Sequence, residues 1–304
     1  MGKYFISILI HNKMWIKTIG KINNILTILG TVSNPVYLVK EGHEYMLVEG
    51  GLTRDVEILL TQLKEHVFDL SLIKYWFITH SHYDHCGTVE YIYPYLENVK
   101  IYTSINTAEN FRNEKYVKKI RQLNSLISDK EISGSANLTE ISFVVVYDKQ
   151  KIETESGLWE IIYTPGHSRC SMSIYNKEKD ILFVSDALGE IINKKKWLPL
   201  AFDHVGQFIE SILTLGRLHA KTIILGHNGI LTEVEALSAP ANSLLSCKAL
   251  MEFVSTCKDN FSQDELVDLV CKEYNVMDHS FIPDQVYRKS IELLLSNLKI
   301  ESFV

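Results

Sequence analysis

The run Thr79-His80-Ser81-His82-Tyr83-Asp84-His85-Cys86-Gly87 places three histidines and an aspartate within six consecutive positions. Imidazole is the commonest metal-binding side chain, and carboxylate is its usual hard partner. A lone histidine at a strand end is ordinarily structural. Four such groups crowded together without a ligand leave several polar atoms unsatisfied. Metal binding is therefore the expectation for His80, His82, Asp84 and His85. Three further candidates, His167, Asp186 and His227, follow at wide intervals. Seven groups are too many for one tetrahedral ion and about right for two.

The elements that must position these residues share one design. Each candidate follows an apolar, β-type run. Tyr75-Trp76-Phe77-Ile78 leads into the histidine run, 158–164 into Thr164-Pro165-Gly166-His167, 181–184 into Ser185-Asp186, and 222–225 into Gly226-His227. Chemistry carried on loops at strand ends, with a rigid sheet behind, is a frequent arrangement. Before the histidine run, 25–29, 36–39 and 45–48 read as short strands, punctuated by Asn34-Pro35 and Glu41-Gly42. Val56, Leu59, Leu60, Leu63 and Val67 recur at helical spacing, with Thr53 placed to cap the helix. Residues 106–130 and 206–218 read as helical and 141–147 as a strand. From about Ala239 the β pattern stops, and 240–258, 262–275 and 284–298 read as helices. The expected organisation is a core over 1–238 and a helical cap over 239–304 that covers the active site.

Composition narrows the class. The chain has 304 residues, 46% hydrophobic and 22% charged, as in ordinary globular proteins. Its net charge of -6 argues against nucleic acid as a partner, which favours a basic face. The one dense basic run, Lys194-Lys195-Lys196, reads as a solvated loop. Five cysteines, without a CxxC pair, fit a reducing compartment better than a disulfide scaffold. Cys86 and Cys170 lie beside the metal-type motifs and read as small buried packing residues. The apolar N-terminal stretch is broken at His11, Asn12 and Lys13 and has no small-residue cleavage site. The expectation is a cytoplasmic protein without membrane contact.

Taken in order, HxHxDH at 80–85, TPGH ending at His167, then Asp186 and Gly226-His227 resemble the metallo-β-lactamase superfamily. The resemblance implies an α/β fold, a four-layer αββα sandwich with metals at one edge. It implies one ion held by His80, His82 and His167, a second held by Asp84, His85 and His227, and Asp186 bridging them. Where most members carry an aspartate this chain has Glu49, whose implied role is to orient a ligating imidazole. Two adjacent cations sharing one solvent oxygen lower its pKa from about 15.7 toward 7, so hydroxide becomes available at neutral pH to attack a carbonyl carbon.

A narrower resemblance is carried by Leu47–Asp55, Tyr75–His80, His82–Gly87, Asp186-Ala187-Leu188-Gly189-Glu190 and Phe281-Ile282-Pro283. These segments resemble the PqsE-like thioesterases of quinolone signalling, from about Leu26 through the helical cap. That likeness implies hydrolysis of an aryl-acyl or β-ketoacyl-CoA thioester of the 2-aminobenzoylacetyl-CoA type. It implies iron as the metal, with zinc or manganese next, and Glu190 and Ser290 in the substrate pocket beside Asp186. A thiol leaving group, with a pKa of about 8.5, needs little help from a general acid. The family also supports a quorum-sensing transcription regulator, but its basic cap helix is not matched in Leu244–Val254, which has one Lys and one Glu. Alternatives with the same ligands are a lactonase or a glyoxalase-II-like hydrolase. From a different class comes a regulatory, partner-binding protein with a vestigial site. A short apolar cap that could pack on a twin suggests a homodimer.

Overall fold

Strand residues alternate between two cores, and that alternation builds the layers. In Pro35–Glu41, Tyr37 and Val39 enter one core while Val36 and Leu38 enter another. Ile181 and Phe183 share the first of these cores, and their neighbours Leu182 and Val184 join a third. The period of two is that of a strand, and burial on both faces explains why these runs read as continuously apolar. The computed structural model describes residues 15–128, 135–257, 259–274 and 282–300. Phe281, part of one motif singled out above, lies outside them.

Two mixed seven-stranded sheets share the central core, formed by Tyr37, Met46, Phe77, Trp159, Phe183 and their neighbours. The first sheet runs, in spatial order, Gly20–Lys21, Leu26–Gly30, Pro35–Glu41, Glu44–Val48, Ile73–Phe77, Lys100–Ser104 and Phe143–Val146. The second runs Trp15–Ile16, Ile230–Thr232, Thr222–Leu225, Ile181–Ser185, Met172–Asn176, Gly157–Tyr163 and Lys151–Thr154. Helices Val56–His66, Ile105–Arg112 and Glu114–Ser125 contribute to the core on the outer face of the first sheet. Helices Val205–Gly216, Glu233–Cys257, Gln263–Glu273 and Asp284–Ile300 contribute to the core of the second. The result is the expected αββα sandwich with helices at its C-terminal end.

Parallel pairing brings the chemistry to one edge. Glu44–Val48 lies parallel to Ile73–Phe77, so Glu49 and the histidine run leave the first sheet side by side. Ile181–Ser185 lies parallel to Thr222–Leu225, so Asp186 and His227 leave the second sheet side by side.

Three local expectations are corrected. Thr53 does not cap the helix; its hydroxyl donates to the Gly87 carbonyl at 2.8 Å, and a 3-10 turn, Thr53–Asp55, precedes Val56–His66. The helical stretch expected over 106–130 is two helices, broken at Asn113, whose side chain accepts from the amides of Lys115 and Tyr116. The helix expected from residue 240 begins at Glu233 and carries Pro240 inside it, a residue that ordinarily marks a helix boundary. Among the described residues, no helix is long and apolar enough to cross a membrane.

Candidate metal centre

The seven sequence candidates form two adjoining groups, His80, His82, His167 with Asp186, and Asp84, His85 with His227. Within each, one potential ligand atom per residue lies within 4.8 Å of all the others. In the first group, His167 Nε2 is 2.9 Å from His82 Nδ1, 3.2 Å from His80 Nε2 and 3.2 Å from Asp186 Oδ2. In the second, Asp84 Oδ2 is 3.7 Å from His85 Nε2 and 3.6 Å from His227 Nε2. Donors about 2.0–2.1 Å from a tetrahedral cation stand about 3.3 Å apart, so both groups have the spacing of a ligand shell. Asp186 reaches into the second group as well, with Oδ2 3.3 Å from His85 Nε2 and Oδ1 3.6 Å from His227 Nε2.

Outer contacts decide which nitrogen each ring presents. His167 Nδ1 donates to the Leu200 carbonyl at 2.8 Å and His227 Nδ1 to the Ser33 carbonyl at 2.6 Å. A carbonyl only accepts, so Nδ1 carries the proton and the Nε2 lone pair faces the cluster. His85 Nδ1 lies 3.1 Å from Glu49 Oε2, the role the resemblance implies for Glu49. His85 Nε2 is buried and makes no hydrogen bond, an orphan that a cation would satisfy.

Electrostatics point the same way. Burial, reinforced by neighbouring imidazoles, holds His80 and His82 well below the ordinary histidine value, and burial lowers His167 too. These rings are neutral and ready to ligate. Burial pushes the Asp186 carboxyl up, but His85, His227 and His167 outweigh it and hold the group well below the ordinary carboxylate value. Burial opposes charge on His85, yet the carboxylates of Asp186, Asp84 and Glu49 prevail and raise it well above the ordinary value. Around His85, the carboxylates of Asp186, Asp84 and Glu49 thus favour positive charge. The donor set fits two divalent ions.

The backbone beside the ligands is unusual. Glu49 (φ 73°), Ser185 (φ 49°) and Asn228 (φ 63°) adopt left-handed conformations without being glycine. Such strain concentrates at functional sites. Gly50 lets the two loops touch: a Cβ there would stand 2.9 Å from the His85 carbonyl oxygen and 3.0 Å from Cys86 Cα.

The remaining sequence candidates divide. Glu190 is buried in the short ribbon Glu190–Ile191, and Asn228 Nδ2 donates to its Oε1 at 3.4 Å. Burial raises its pKa to about 7, with His227 opposing the shift. Ser290 lies on helix Asp284–Ile300, and its hydroxyl donates to the Val286 carbonyl at 3.0 Å. One turn further on, Leu293 lines a cleft of about 340 Å³ that opens onto His82 and His167, with Tyr116, Phe202 and Arg169. Ser290 does not line that cleft. Cys86 and Cys170 are buried and stay outside both ligand groups, as expected. Lys194 and Lys196 of the basic run pair with Glu235 and Glu273. Thr79 and Ser185 each directly precede a ligand and carry no motif signal of their own.

The sandwich and its ligand set define the class of αββα metallo-hydrolases. The sequence profile described as the metallo-beta-lactamase superfamily matches residues 29–227, and the chain belongs to that superfamily. The matched span holds all seven candidates. The chain is similar to a probable metallo-hydrolase, YflN, of Bacillus subtilis, with 23% identity over 216 residues, 63% of this chain and 78% of that protein. Its structure resembles a metallo-beta-lactamase family protein from Thermus thermophilus (TM-score 0.63, 17% identity), covering 92% of this chain and 95% of that one. It also resembles an archaeal superfamily member from Sulfolobus tokodaii (TM-score 0.61, 17% identity), covering 93% and 100%. At these identities the structural likenesses establish the fold.

Proposed function

We propose that the chain is a binuclear metal-dependent hydrolase, and that its substrate is an aryl-acyl or β-ketoacyl-CoA thioester of the 2-aminobenzoylacetyl-CoA type. One observation carries the hydrolase reading: Asp186 stands between two ligand groups whose rings turn bare nitrogens inward. Two cations held by these residues would supply a Lewis acid and would lower the pKa of bound solvent. The chain's own part is to hold that centre rigid. Leu200 and Ser33 carbonyls and Glu49 fix three of the five rings. A thiolate departs without a proton donor, and the site needs no dedicated acid for a thioester.

The narrower substrate reading rests on the motif resemblance and on the cleft. Its volume of about 340 Å³ suits an acyl group, while the CoA portion extends outside. Glu190 and Ser290 lie outside the lining of this cleft, and their roles rest on the motif resemblance alone: Glu190 to orient an amino or hydroxyl substituent of the acyl group, and Ser290 to meet the substrate from the last helix. Iron is the proposed metal, with zinc or manganese as alternatives. The test is a panel on purified protein: an aryl-acyl-CoA, S-lactoylglutathione and a homoserine lactone, with metal analysis alongside. Preferential cleavage of the CoA ester supports the reading. Preference for either of the others replaces it, and unchanged turnover and KM in Glu190→Ala removes Glu190 from it.

A further inference from the structure

Thr79 occupies a junction that belongs to neither ligand group. Its Oγ1 lies 2.9 and 3.0 Å from the two carboxylate oxygens of Glu49, 2.9 Å from Ser185 Oγ and 3.2 Å from His80 Nδ1. All four residues are buried. A hydroxyl has one proton to donate and two lone pairs to offer. A carboxylate only accepts, so the Thr79 proton goes to Glu49. The lone pairs are then left for the other two neighbours, and both must donate to them. His80 therefore carries its proton on Nδ1 and turns a bare Nε2 toward His167. Ser185, the residue before Asp186, is tied to the same oxygen.

Glu49 also receives the Nδ1 proton of His85 at 3.1 Å. One buried carboxylate thus faces both ligand groups, touching His85 directly and His80 through a single hydroxyl. The geometry points to Thr79 as a positioning residue that extends the control of Glu49 from the Asp84–His85–His227 group to the His80–His82–His167 group. This inference rests on the metal-centre reading above.

Two measurements test it on the full chain. In metal-free protein, ¹⁵N NMR of the histidine side chains should report His80 as the Nδ1–H tautomer. Thr79→Val removes the acceptor and should abolish that preference, whereas Thr79→Ser should keep it. Glu49→Leu leaves Thr79 in place but removes the acceptor of its proton, and should also lose the preference, which covers the case of a poorly folded valine variant. Zinc titration of the stripped protein should then show one of two ions weakened about 10–100-fold in Thr79→Val and restored in Thr79→Ser. An unchanged His80 tautomer in both Thr79→Val and Glu49→Leu overturns the assignment, as does wild-type affinity for both ions in a folded Thr79→Val. Wild-type protein that fails to bind two zinc ions overturns the metal-centre reading instead, while the tautomer signal still judges Thr79.

Discussion

Asp186 Oδ2 stands 3.3 Å from His85 Nε2, a buried nitrogen with no hydrogen bond. The same carboxylate oxygen is 3.2 Å from His167 Nε2, and the other oxygen is 3.6 Å from His227 Nε2. One side chain therefore touches both ligand groups. It can do so because its strand, Ile181–Ser185, ends where the two sheets share an edge.

That crowding makes Gly226 a sensitive position. A Cβ there would stand 2.3 Å from Asp186 Oδ1 and 2.9 Å from His85 Cε1. Gly226→Ala should fold, since its site lies at the sandwich edge, but should displace Asp186 and lose at least one ion. Metal analysis alongside thermal melting checks this. A folded variant with full metal content contradicts it.

Glu190 gives the metal-free protein a pH signature. Below about pH 4.5 the carboxyl is protonated in folded and unfolded chains alike. Between there and about 7 only the unfolded chain ionises, so stability falls as pH rises and then levels off. Glu190→Gln removes this loss. Metal-free Glu190→Gln should match metal-free wild type at low pH and exceed it at pH 8 by roughly 1–3 kcal/mol. Cations favour the charged form and should shrink the difference. Melting curves at the two pH values, with and without zinc, measure it; equal melting at pH 8 contradicts it.

At the opposite end of the strands, Glu41 tests stability apart from chemistry. It is buried, accepts from Thr154 and Ser156 at 2.5 Å and from Trp159 Nε1 at 3.2 Å, and pairs with Lys179 Nζ at 3.3 Å. Glu41→Ala removes the carboxylate that four donors share, leaving the Lys179 ammonium only the Ser156 carbonyl at 2.7 Å, and should cost about 3–5 kcal/mol. Replacing both Glu41 and Lys179 by methionine should recover only part of that loss, because the buried Trp159 Nε1 still lacks its acceptor. Denaturant midpoints check both variants, and metal content in the folded state should not change.

The ligands were legible in the sequence because each follows an apolar run that could only be a buried strand. Their convergence was not, since it depends on parallel pairing within each sheet and on which edges of the two sheets meet. The strands Trp15–Ile16, Gly20–Lys21 and Lys151–Thr154 were missed: two to four residues carry no periodicity and exist only through their partners. Thr53 looked like a cap because local spacing allowed it, but a carbonyl 34 residues away took its hydroxyl. Thr79 sat inside the motif yet stayed mute, because its partners Glu49 and Ser185 lie 30 and 106 residues away.

The most direct test of the binuclear centre is metal stoichiometry in wild type and Asp186→Ala, measured by mass spectrometry on desalted protein with hydrolysis followed in parallel. Two ions per wild-type chain, at least one lost in Asp186→Ala together with all turnover, is the expected result. Asp186→Ala that keeps two ions and hydrolyses at the wild-type rate contradicts it.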